Sequence, residues 1–163
     1  MRDLPGENRK AHRTYCVFNE TRESFLSMRV TPADTQVSRL RGLTGRLRLK
    51  SDEGIWVVPS QGIHTIGVRF AIDLIYLDAA HRVIDLTESL GSFRIGPLRL
   101  KCASVLELPV QTICSSRTQI NDQLLICSPE EMEAYLKEKR HWDVSRPLRH
   151  NRRKKRGTRH EIP

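Results

Sequence analysis

The chain has 163 residues, 38% of them hydrophobic, with 28 Lys and Arg against 19 Asp and Glu for a formal charge of +9. That length and apolar content suit one core rather than two. No apolar run exceeds four residues, far short of the roughly 20 that a membrane-spanning helix requires. The charged N-terminus is followed by no apolar stretch of the secretory kind, so a transmembrane protein is excluded and the expected compartment is the cytoplasm.

Residues 1–12 read as a polar, flexible leader broken by Pro5-Gly6. Two short runs rich in β-formers follow, 14–19 and 25–30, separated by a polar stretch that predicts an antiparallel pair. Thr31-Pro32-Ala33-Asp34 then has the form of a helix start, with Thr31 as N-cap, proline in the first turn and an acid behind it. This predicts a short helix to about Arg41, ended by Gly42. From Gly54 the pattern is β for about 70 residues. Ile55 to Val58 stops at Pro59, and Ser60-Gln61-Gly62 supplies a turn before the long run 63–77. Asp78-Ala79-Ala80-His81 predicts a hairpin into residues 82–86. Residues 93–100, interrupted by Gly96-Pro97, read as an irregular edge or loop because proline donates no ladder hydrogen bond. Further strands are expected at 104–108 and 123–127. Ser128-Pro129-Glu130-Glu131 is a capping box that opens a helix to about Arg140, with Met132, Tyr135 and Leu136 on one side.

These elements describe a mainly β domain over residues 13–140. The expected form is a small barrel or strongly curved antiparallel sheet with one short internal helix and a C-terminal helix. Residues 137–163 hold 11 basic and three acidic side chains, so the rest of the chain is close to neutral. The basic tail, residues 141–163, is expected to be disordered. Its run Arg152, Arg153, Lys154, Lys155 and Arg156 is the candidate contact for nucleic acid, the ribosome or another polyanion, without base readout. The four cysteines, Cys16, Cys102, Cys114 and Cys127, form no C-x-x-C pair and are expected to be reduced thiols.

Chemistry concentrates in residues 59–78, where His64, Arg69, Asp73 and Asp78 interrupt an apolar run. On an ideal strand, alternation places Arg69 and Asp73 on one face and His64 and Asp78 on the other. Arg69 and Asp73 would also lie about 13 Å apart at roughly 3.3 Å per residue. A shared site therefore requires a bend at Gly62 or Gly67. Arg69 has the planar fork suited to a carboxylate or phosphate, and its structural alternative is an ion pair with Asp73 or Glu107. His64 has an acid–base role or a plain backbone hydrogen bond open to it. Asp73 is a candidate to orient His64. Glu107 lies on the face opposite Leu106 and Leu108, and Trp56 is a candidate pocket floor or core residue. No G-x-S-x-G elbow and no phosphate-binding loop of either common kind is present, and one histidine among scattered carboxylates makes a poor metal site. No cofactor or metal is implied.

The segments Arg39-Leu-Arg-Gly-Leu-Thr-Gly-Arg46, Glu53-Gly-Ile-Trp56, Gly62-Ile-His-Thr-Ile-Gly-Val-Arg-Phe-Ala-Ile-Asp-Leu-Ile-Tyr-Leu-Asp78, Arg82-Val-Ile84 and Ser104-Val-Leu-Glu-Leu-Pro109 occur in an order that resembles a prokaryotic family, domain of unknown function 192. The resemblance covers about residues 25–127. The family pattern has methionine at the place of Val68, proline at Ala71, often cysteine at Ser60, and glycine near Gln111. The resemblance implies a compact β-rich fold and a prokaryotic source, and it implies no reaction.

Taken together, these residues favour a non-enzymatic binding or accessory module whose cluster of His64, Arg69, Asp73 and Glu107, with Trp56 beside it, either fixes the fold or holds a small anionic ligand. The alternatives are a small hydrolase or isomerase using His64 as acid or base with Asp73 beside it, and polyanion association through the tail.

Overall fold

A computed structural model describes residues 13–33, 43 and 47–144. Strands β1 (Tyr15–Asn19) and β2 (Ser24–Ala33) are followed by β3 (Glu53–Val57), β4 (Ile72–Leu77), β5 (Val83–Leu90) and β6 (Ser104–Pro109). A short helix α1 (Thr112–Ser116), strand β7 (Leu124–Cys127) and helix α2 (Pro129–Val144) complete the chain order. The strands form one seven-stranded sheet in the order β5-β4-β6-β3-β2-β1-β7. The sheet curls into a half-barrel. Its two edges meet at one end through the bridge Arg82↔Gln123 and the bond from Val83 N–H to Asp122 O at 2.9 Å.

The mainly β reading holds, with one difference in pairing. Five of the six neighbour pairs are antiparallel, but β2 and β3 run parallel, with Thr31 opposite Ile55 and Ala33 opposite Val57. This overturns the helix start at Thr31. Strand β3 offers a ladder to residues 29–33, and tertiary pairing outweighs the local capping signal. Pro32 is tolerated close to the end of β2, where one missing donor costs little. The remainder of that expected helix, residues 34–41, lies outside the described residues.

Alternation along the strands builds three apolar clusters. Val17, Leu26, Val30, Ile75, Leu77, Val83, Leu106, Leu108 and Leu124 bring all the strands except β3 to the concave side, and Trp56 adds β3. Ile113 of α1 packs into the same cluster. On the convex side, Ile55, Val57, Ile72, Leu74, Tyr76 and Val105 lie beneath Leu43, Leu49, Ile63 and Val68. At the other edge, Cys16, Phe18 and Cys127 pack against Met132, Tyr135 and Leu136 of α2. That is the helix face the sequence indicated. The capping box is present too: Ser128 N–H donates to Glu131 Oε2 at 2.8 Å, and Glu131 N–H donates to Ser128 Oγ at 3.2 Å.

The long run 63–77 is not one strand. Only Ile72–Leu77 is extended in the sheet. Thr65 to Val68 form a tight turn, closed by Val68 N–H to Thr65 O at 3.1 Å, with Gly67 at φ 84°. A turn of this kind needs the left-handed conformation that glycine adopts without strain. The hairpin after β4 forms as expected, and Asp78 Oδ1 ties it by accepting the N–H groups of Ala80 and Arg82, both at 2.9 Å.

Candidate functional site

The bend that the site hypothesis required is real, but it does not gather the four polar residues. Asp73 shares the concave face with Ile75 and Leu77, and it is 1% exposed. Its carboxylate is occupied by the main chain: Ser89 N–H donates to Oδ1 at 2.9 Å and Ile113 N–H to Oδ2 at 3.1 Å. The first bond serves a bulge in β5, where Ser89 sits at φ 52°. The second serves the first turn of α1, whose cap residue Gln111 gives no side-chain bond. Asp73 is thus a cap delivered across the sheet.

Glu107 is fully buried on the opposite, convex face, between Leu74 of β4 and Ile55 of β3. The sheet itself separates the two carboxylates. Arg69 is exposed beyond the turn and pairs with neither Asp73 nor Glu107. His64 is partly buried and forms an isolated bridge with Ile95. Trp56 packs at the edge of the concave core, with ring centroids 5.7 Å from Tyr15 and 5.5 Å from His81. Burial holds the His81 imidazole below its ordinary range, with Asp78 acting against it. The proposed tail contacts, Arg152 to Arg156, lie outside the described residues.

Two arrangements were missed by sequence reasoning. The first is a buried polar lock that joins the turn after β1 to the loop before β7. Asn19 Nδ2 donates to Asp122 Oδ2 at 2.9 Å and to Thr118 Oγ1 at 3.2 Å, while Arg22 Nε and Gln119 N–H also reach the Asp122 carboxylate. Burial pushes that carboxyl up, but the bonds from Arg22, Asn19 and Gln119 outweigh it and hold it below the usual range. No local signal marks partners about a hundred residues apart.

The second is a ribbon formed by residues 61–68 against 91–100. Thr65 N–H donates to Arg94 O at 2.7 Å, Phe93 N–H to Thr65 O at 3.1 Å, Gly96 N–H to Ile63 O at 2.7 Å, and Arg99 N–H to Gln61 O at 2.8 Å. The buried Thr65 hydroxyl rivets it, donating to Gly91 O at 2.6 Å and accepting from Arg94 N–H at 2.8 Å. Its outward side chains are apolar. Ile66 is 53% exposed, Phe93 68%, Ile95 81%, Leu98 64% and Leu100 78%. Between and beside them stand Arg69, Arg94, Arg99 and Lys101. Arg99 pairs with Asp85, while Arg69, Arg94 and Lys101 make no ion pair among the described residues. The sequence did hold a signal for this patch. Gly96-Pro97 denies an apolar segment a place in the ladder, so its side chains have no sheet face to fill.

Among the described residues no cluster of His, Cys, Asp and Glu is placed to hold a metal ion, and no helix is long and apolar enough to cross a membrane. The fold is similar to that of a "putative transcription regulator" from Sinorhizobium meliloti 1021, with a TM-score of 0.57 at 18% identity over 74% of this chain and 98% of that one. It is also similar to a protein of unknown function from Novosphingobium aromaticivorans DSM 12444, with a TM-score of 0.58 at 17% identity over 76% of this chain and 93% of that one. Likeness at this identity is one of fold. No curated protein matches the chain. The model of the family DUF192 (Uncharacterized ACR) matches residues 17–126, which include β2 to β6 and the whole ribbon, and the chain belongs to that family.

Proposed function

We propose that the domain is a non-catalytic binding module that meets an anionic partner through the ribbon of residues 61–68 and 91–101, with Arg69 beside its turn. The observation that carries this reading is the gathering on one ribbon of Ile66, Phe93, Ile95, Leu98 and Leu100, half of the exposed large apolar side chains among the described residues, interleaved with Arg94 and Lys101, which make no ion pair among the described residues. Soluble domains rarely leave a contiguous apolar patch without a use for it. Of the four residues first grouped as a ligand pocket, Arg69 keeps a binding role here. Asp73 is committed to main-chain N–H groups and is not free to orient His64, so the hydrolase or isomerase reading loses that partner.

The tail is a second source of positive charge, so the test must separate the two. In the 163-residue chain, Arg152, Arg153, Lys154, Lys155 and Arg156 are all replaced by Gln, and binding of a short polyphosphate is titrated over a range of salt. Retained affinity is expected, and it should fall with a flatter salt dependence when Arg69→Gln, Arg94→Gln and Lys101→Gln are added. Affinity that vanishes with the tail charges and ignores the ribbon charges would favour the alternative, polyanion association through Arg152 to Arg156. The description of one structural neighbour as a transcription regulator lends that alternative its interest.

A further inference from the structure

We infer that the partner of this ribbon is an anionic lipid surface, on which the domain docks peripherally. The inference rests on the ribbon being the contact surface and goes on to name what covers it. Three properties of the ribbon select among occupants. First, Phe93, Ile95, Leu98 and Leu100 are each more than 60% exposed. Side chains that line a groove for a peptide are half buried by the groove walls, whereas these stand clear of their own domain. They project from a tight turn and from a segment that the Gly96-Pro97 step keeps out of the ladder. Such tips suit insertion into a soft boundary better than docking onto a rigid face.

Second, the apolar residues are mostly aliphatic. Ile66, Ile95, Leu98 and Leu100 gain nothing from a sugar-phosphate backbone, and Phe93 alone offers a ring on which a base could stack. Acyl chains are the natural partners of aliphatic tips. Third, the cations alternate with those tips: Arg94 lies between Phe93 and Ile95, Arg99 between Leu98 and Leu100, with Lys101 next. When the tips enter the acyl boundary, the longer basic side chains reach back to the phosphate level. Charge complementarity therefore favours an anionic leaflet, at about fivefold in partitioning per basic residue near the surface. A second copy of this chain would instead bring Arg69, Arg94 and Lys101 against their own kind.

The experiment uses the whole 163-residue chain carrying the five tail substitutions to Gln, mixed with vesicles of phosphatidylcholine alone or of phosphatidylcholine with about one third phosphatidylglycerol. Sedimentation should show partitioning onto the anionic vesicles and little onto the neutral ones. Ile95→Ser with Leu100→Ser should weaken that partitioning by about tenfold per side chain and leave the melting temperature unchanged, since both side chains already face solvent. Phe93→Trp supplies a second reading, with a blue-shifted emission that brominated acyl chains quench. The inference is overturned by a chain with the five tail substitutions that ignores anionic vesicles, by partitioning indifferent to Ile95→Ser and Leu100→Ser, or by a concentration-dependent dimer that those substitutions dissolve. A chain that ignores vesicles yet still holds polyphosphate through Arg69, Arg94 and Lys101 loses the lipid assignment alone. Loss of both removes the binding-surface reading as well.

Discussion

Replacing Asp73 by alanine separates a structural carboxylate from a functional one. Asp73 accepts one hydrogen bond from Ile113 N–H, which is buried, and one from Ser89 N–H, which is partly buried. Hydrogen bonds to a charged group contribute about 1.5–3 kcal/mol each, and a donor left buried without a partner costs about 1–3 kcal/mol. The Ile113 bond falls at the costly end because α1 has no other N-terminal side-chain cap. The Ser89 donor is nearer solvent and can be hydrated in part. Removing the charge also removes its own desolvation cost, which offsets some of the loss. The net expectation is about 3 kcal/mol for Asp73→Ala. Asp73→Asn should cost about 2 kcal/mol, since the amide keeps one acceptor and sets its NH2 against the other donor. Guanidinium chloride unfolding followed by far-ultraviolet circular dichroism measures both, with the slope checked for constancy. An Asp73→Ala chain within about 0.5 kcal/mol of the parent would refute the capping argument and return the carboxylate to the list of ligand groups.

A methyl group at Gly96 would sit 2.9 Å from Tyr76 Oη and 3.1 Å from Ile63 O, while one at Gly91 would meet nothing within 4 Å. Thermal melts should therefore place Gly96→Ala about 1–3 kcal/mol below the parent and Gly91→Ala close to it. Gln111 occupies the left-handed region at φ 72°, where the family pattern has a nearby glycine. Gln111→Gly should stabilise the chain by up to about 1 kcal/mol, and a loss in denaturant titration would contradict the strain argument. The Asp122 carboxyl is held below its ordinary range, so it contributes stability at neutral pH that is lost as pH falls through about 4 toward its folded value. Urea midpoints should show the gap between the parent and Asp122→Asn closing below that pH. Cys114 is exposed, whereas burial raises the Cys16 and Cys102 thiols and pushes Cys127 up to about 11. A maleimide should label one thiol per native chain and four after unfolding.

Much of the architecture was legible because strands of a half-buried sheet repeat every two residues and turns carry their own chemistry. Residues 104–108, the Asp78 hairpin and the Ser128 box were read from such local signals, and each is where the sequence placed it. Thr31-Pro32 shows the limit. A cap, a proline and an acid are a sound local argument for a helix, but the parallel ladder offered by β3 comes from residues more than twenty positions away. The short helix α1 was missed for a related reason. The Ile113 N–H in its first turn is served by Asp73, forty residues earlier, so the usual capping signature is absent from its own sequence.

The dispersal of the polar cluster follows from register. Leu74, not Asp73, stands opposite Glu107. In an antiparallel pair, residues directly opposite share a face and their chain neighbours take the other. That single step sends one carboxylate into the concave core and the other beneath the convex cover, and no bend at Gly67 can undo it because both strands lie beyond the turn. The bend acts elsewhere: it turns residues 61–68 back over the convex face, where they pair with 91–100 and lift Ile66, Phe93 and Ile95 away from the sheet. Polar groups inside this fold, such as Asp73 and Asp122, are committed to main-chain donors and to the Arg22–Asn19 lock. Arg94 and Lys101 stand on the ribbon and Arg69 beside its turn, and none of the three makes an ion pair among the described residues. The proposed binding surface accordingly lies at the rim, where charge is not committed to holding loops.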